Sequence, residues 1–237
     1  MVPPILKYPK LFKTKRVLKI LIRIALIVAL FAELYYQNWL TFTITLTAII
    51  LTFLPELIEK KYQVDLPEEF EIWMLIFIYL SLYLGEVQNF YGMFWWWDIL
   101  LHGFSAVSIG LVGFVVMLYL QQGNKVRAKP FLICFLAFLF AVAAGALWEI
   151  FEFTLDHTIG SLMQENSLVD TMADLIIDSL GALIGSVFGF IYLKNKKSKW
   201  AFTINSFVNL NKFLFTDLGN RVSKNLNNTL KSLNPKK

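Results

Sequence analysis

Positive charge is missing from most of this chain. No lysine or arginine stands between Lys61 and Lys125, or between Lys129 and Lys194. Charged residues of either sign make up 16% of the 237 residues, against about 25% in an ordinary soluble domain. That scarcity excludes a chain built as one water-covered globule, and no nucleic-acid partner is expected. Cysteine is limited to Cys134, so no intramolecular disulfide can form. No internal repeat and no separate soluble domain can be traced.

What is present is apolar: 57% of residues are hydrophobic and the mean hydropathy is +0.59. Runs of about twenty apolar residues recur, each long enough to cross a hydrocarbon layer of roughly 30 Å as a helix. Six such spans are expected, over 17–37, 39–57, 71–89, 95–120, 131–151 and 172–193. The fold class is therefore all-α: a polytopic membrane helix bundle with about six transmembrane helices. The basic leader "KYPKLFKTKR" resembles the start of a signal peptide, but the apolar run after it is too long and no A-x-A site follows. The first span reads as an uncleaved anchor.

The basic residues set the orientation. With the N-terminus inside and the spans alternating, the inner segments hold seven, two, three and ten Lys and Arg, which is all 22 in the chain. The positive-inside rule then places both termini in the cytoplasm and the chain in the cell membrane as a multi-pass protein. Residues 1–197 are expected to form the bundle. Residues 198–237 are expected to form a basic cytoplasmic tail, either amphipathic or partly disordered, with Leu210, Leu214, Leu218, Val222, Leu226, Leu230 and Leu233 at helical spacing.

The few acids gather where the basic residues are absent. Asp98 and His102 are four apart. Gly145, Glu149, Glu152 and Asp156 step by four, three and four. Asp170, Asp174 and Asp178 step by four and four, and Gly181, Gly185 and Gly189 continue the stripe. Each set lies on one side of a helix. A carboxylate stripe faces the bundle interior or a water-filled cavity rather than lipid. The topology brings these groups to a similar level near the outer surface, beneath the tryptophans of "WWWDILLHG".

The stretches "LGEVQNFYGMFWWWDILLHGFSA", "GALWEIFEFTLD" and "DTMADLIIDSLGALIGS" resemble the motifs of the YjdF-type membrane proteins, a family of bacterial and archaeal integral membrane proteins. The likeness covers about residues 50 to 190. A looser similarity is to VanZ-like proteins, a family linked to glycopeptide (teicoplanin) resistance. Those also carry Asp-x3-His, then a Glu pair motif, then Asp-x3-polar-x2-Gly. This chain differs from them in Ile99, Glu152 and Asp178, where Lys, Gln and Asn are usual. The resemblance implies a membrane bundle with a shared polar site and specifies no reaction.

Three functions are open at this point. Asp98, His102, Glu149, Glu152, Asp174 and Asp178 have the donor chemistry for a divalent metal, with Glu86 and Asp170, nearer their helix ends, at the entrance. Helix bundles build such sites from Glu and Glu-x-x-His on facing helices. A bound metal would serve a hydrolase or transferase acting on a lipid or lipid-linked substrate, with membrane lipids as neighbours. Intramembrane acids also form ion- or proton-coupled transport sites. Alternatively they tie helices together, at about 0.6 kcal/mol per contact. No acyl-transfer motif surrounds Ser105, and His157 reads as a solvated loop residue.

The orientation is directly testable. A reporter fused to the C-terminus should be active only on the cytoplasmic side, and an extracytoplasmic signal would overturn the arrangement of basic residues used here.

Overall fold

The computed structural model describes residues 9–122, 126–159, 163–164, 168–195, 202–211 and 214–215, and all regular structure among them is helical. The helices are α1 (Pro9–Tyr35), α2 (Trp39–Leu51), α3 (Leu54–Tyr62), α4 (Glu68–Ile78), α5 (Phe90–Met93), α6 (Trp97–Gln122), α7 (Pro130–Ile159), α8 (Leu168–Lys194) and α9 (Phe202–Leu210), with a π-helical segment, Tyr79–Val87, continuing α4. The chain divides into two compact units, residues 1–97 and 98–237.

Five helical stretches are long and apolar enough to cross a membrane: Trp39–Tyr62, Glu68–Val87, Trp97–Gln121, Pro130–Thr158 and Leu168–Lys194. The first expected span, 17–37, is also a helix, α1, but Lys19, Arg23 and Glu33 interrupt its apolar stretch. In the first unit those cations are paired. Lys19 Nζ donates to the Glu71 carboxylate. Arg23 Nη2 donates to Glu56 Oε1 at 2.7 Å and to the Thr52 carbonyl at 2.8 Å, and its guanidinium lies 4.1 Å from the Phe53 ring centre. The Thr52 carbonyl sits where α2 gives way to α3, just ahead of Pro55 in the first turn of α3. A proline there removes a backbone donor, and Arg23 supplies one. Pro55 therefore marks a break inside a span that runs on to Tyr62, rather than its end. Ile22, Leu26, Ala48, Leu75 and Ile78 form the core of this unit.

The third expected span is helical as far as Val87, and from Tyr79 its bonds widen to the i→i+5 pattern. Gly85 is buried there against the Tyr91 ring, and a Cβ on it would lie 2.3 Å from Tyr91 Cε2.

The second unit is organised by small residues. Gly181, Ala182, Gly185, Ser186 and Gly189 form a buried stripe along α8. A Cβ on Gly181 would lie 2.7 Å from the Gly103 carbonyl oxygen, and one on Gly185 would lie 2.5 Å from that of Val107. The stripe thus brings the backbone of α8 against that of α6 within the monomer, as small-residue interfaces do in membranes. Gly189 faces the Phe114 ring, which begins an apolar cluster of Phe114, Leu118, Ile133, Cys134, Ala137 and Tyr192. Ile204 and Phe215, from the start of the tail, are buried in the same cluster. Residues 216–237, with the remaining leucines of the tail, lie outside the described residues.

The α6–α8 contact can be tested by overpacking. Gly185→Val should lower stability by about 1–3 kcal/mol, since backbone rather than a flexible side chain stands in the way. Thermal unfolding in detergent would measure it, with the exposed Leu183→Val as the control that should change little.

Candidate functional site

Three helices of the second unit carry the acids. Asp98 lies in the first turn of α6, with His102 one turn on. Glu149 and Glu152 belong to the last third of α7. Asp170, Asp174 and Asp178 follow one another on the first three turns of α8. At about 1.5 Å per residue, Asp178 lies roughly 15 Å along α8, well inside the span. His102, Glu149, Glu152, Asp174 and Asp178 are all buried, whereas the Asp98 side chain is 34% exposed. The cluster therefore opens at Asp98.

His102 is the centre. Its Nδ1 lies 3.3 Å from Asp178 Oδ1, and its Nε2 lies 3.7 Å from Asp98 Oδ1. Donor atoms of Asp98, His102 and Asp174 lie within 4.8 Å of one another, and so do those of His102, Glu149 and Glu152. The other five residues expected at a site are thus brought around the His102 imidazole. Asp170 is partly buried in the first turn of α8. Glu86 stands on the π-helical segment, in the other unit.

The packing explains the spacing. A Cβ on Gly145 would lie 2.3 Å from Asp178 Oδ2. Gly145 is the first member of the stripe that runs to Asp156, and its bare Cα forms the seat of the Asp178 carboxylate. Asp178 is held between that seat and the His102 ring.

Two neighbours, Trp148 and Gln164, escape a reading of charge spacing alone. Trp148 Nε1 donates to Glu152 Oε1 at 2.8 Å. Gln164 Nε2 donates to Glu149 Oε2 at 3.3 Å and to the Glu149 carbonyl at 3.1 Å. Asp156 accepts the backbone N–H groups of Met163 and Gln164, both at 2.9 Å. The Asp156 carboxylate thereby turns the chain back so that Gln164 is buried on Glu149. The one visible signal was Asp156 itself, in register with Glu149 and Glu152. The other Glu149 oxygen, Oε1, is buried without a hydrogen-bond partner among the described residues, on a residue only 4% exposed. His157 stays exposed, its Nδ1 2.9 Å from the Phe153 carbonyl oxygen and its ring against that of Phe153.

Residues 14–195 match the model of the family described as "Predicted membrane protein (DUF2238)". A protein of Thermotoga maritima, described as "Uncharacterized protein", is 32% identical over 129 residues, which is 54% of this chain and 66% of that relative. The aligned stretch thus spans just under two thirds of the relative's length. No solved structure matches.

The Gly145 seat makes a specific prediction. Gly145→Ala should cost about 1–3 kcal/mol by displacing the Asp178 carboxylate. In an Asp178→Ala background the same change should cost much less. A double-mutant cycle on thermal unfolding would measure the coupling, and additive effects would mean that Gly145 and Asp178 are independent.

Proposed function

The chain belongs to the membrane-protein family described as "Predicted membrane protein (DUF2238)", and within that family we propose a divalent-metal site formed by Asp98, His102, Glu149, Glu152, Asp174 and Asp178. The YjdF-type assignment and the looser likeness to VanZ-like proteins are part of this reading. So is the placement in the cell membrane, with both termini cytoplasmic and the cluster towards the outer face.

One observation carries it: Glu149 Oε1, buried and without a hydrogen-bond partner, among carboxylates that share a histidine. A buried acceptor left unmatched is costly, and so is a group of like charges in a dry interior. A cation offsets both. The donor set of carboxylates and one imidazole suits Zn, Mn or Fe. The two triads, with donors up to 4.8 Å apart, would contract around an ion. For comparison, donors around a tetrahedral zinc at about 2.1 Å are roughly 3.4 Å apart.

The activity proposed is hydrolysis or group transfer on an ester or phosphate of a lipid or lipid-linked substrate. A metal of this kind, when bound, lowers the pKa of a coordinated water and polarises an ester or phosphoryl oxygen. This chain's residues supply the rest. Glu149 and Glu152 are oriented by Gln164 and Trp148. Asp98, the least buried member, stands where substrate would arrive. Leu100 and Phe104 on α6, and Leu147, Ile150 and Phe151 on α7, present apolar surface suited to lipid tails.

Elemental analysis of the purified protein, before and after chelation, tests the reading. A divalent metal should copurify, and its removal should lower thermal stability. Asp174→Asn should reduce the metal content, while His157→Ala should not. Metal-free protein whose stability is unchanged in chelator would leave the cluster as a hydrogen-bonded tie between helices. Proteoliposomes showing substrate-dependent ion flux would favour a transporter instead.

A further inference from the structure

The cluster contains more charge than one divalent ion balances. Asp98, Glu149, Glu152, Asp174 and Asp178 amount to five negative charges when ionised. One divalent cation would leave three of them uncompensated, and two would leave one. Uncompensated charge in a buried site is strongly unfavourable.

The donors are also divided in space. Asp98 and Asp174, from α6 and α8, meet His102 on one side. Glu149 and Glu152, both from α7, meet it as a separate group, and the 4.8 Å limit holds within each triad. Asp178 belongs to neither triad: its Oδ1 faces His102 Nδ1 and its Oδ2 rests on Gly145. A metal-bound histidine ordinarily has its other ring nitrogen fixed by a carboxylate in this way. That leaves Nε2, on the Asp98 side, as the donor nitrogen. One nitrogen serves one cation, so Glu149 and Glu152 are left to a second. The buried, unpartnered Glu149 Oε1 stands in that second group.

We propose that the cluster holds two divalent cations in adjoining subsites. Asp98, His102 and Asp174 hold one, Glu149 and Glu152 hold the other, and Asp178 is the positioning residue that orients His102. This rests on the metal reading above and deepens it. Two ions about 3.5–4 Å apart form the arrangement that clamps the attacking and leaving oxygens of a phosphoryl group. Carboxylates from facing helices of a bundle commonly hold such pairs. The substrate class that such a pair suits is a phosphate ester or anhydride.

The test is metal stoichiometry on the full chain in detergent, dialysed against Mn²⁺ and then freed of loose ions. The expected result is about two Mn²⁺ per chain with an exchange-coupled paramagnetic resonance spectrum. Asp174→Asn and Glu152→Gln should each retain about one ion with an uncoupled spectrum. One ion in the unmodified protein would overturn the pair and leave the metal reading intact. None would overturn both. Two ions lost by neither variant would place them elsewhere and overturn the assignment. If a variant fails to fold, the count and spectrum of the unmodified protein still decide.

Discussion

The close approach of α6 and α8 is the constraint on which the polar cluster depends. Gly181 and Gly185 meet the carbonyls of Gly103 and Val107 at distances that leave no space for a side chain. His102 precedes Gly103 on α6, and Asp178 lies one turn before Gly181 on α8. Backbones kept apart by larger residues would take the imidazole away from the carboxylate. In lipid, where apolar burial between helices gains little, close van der Waals contact of this kind is the main source of specificity. The glycines thus fix both the helix pair and the geometry of the polar residues one turn away.

The same economy of space operates between α7 and α8, where Gly145 accommodates Asp178. His102 is therefore placed by glycines on two different helices. This rigidity matters because the acids have unequal support. Asp98 and Asp170 stand in the first turns of their helices, where the helix dipole favours negative charge. Glu149 and Glu152 lie away from the start of α7 and gain nothing from it. Their compensation is local: an indole N–H from Trp148 on Glu152 and an amide from Gln164 on Glu149. Two of the four carboxylate oxygens receive such donors, and of the other two Glu149 Oε1 is fully buried without one among the described residues.

Much of this was legible because the relevant spacings are helical. Steps of three and four put Glu149 with Glu152, and Asp174 with Asp178, on single faces, and charged faces in a membrane turn inward. The helix pairing of the glycine stripe was also readable, as packing within one chain. Other features had no sequence signal. The π-helical segment changes the angular step after Tyr79, so ordinary helical spacing misplaces the face on which Glu86 stands. Gln164 reaches the cluster only because Asp156 caps a turn of the chain beyond α7. Residues 17–37 read as an ordinary span, but Lys19 and Arg23 find partners distant in sequence, Glu71 and Glu56. Periodicity locates faces, and it is blind to contacts made by chain reversal.

The two ends of the second unit are unlike. Beyond Gly185 the described interior is mostly apolar: Phe114 packs on Gly189 and Tyr192, and Ile204 and Phe215 close the cluster from the chain's last described stretch, with Ser186 and Asn211 as buried polar residues. At the other end Asp98 is partly exposed, and the carboxylates behind it are within reach of one another. Asp98 is thus the open edge of the cluster. Ile204 on α9 and Phe215 beyond it cover that apolar end.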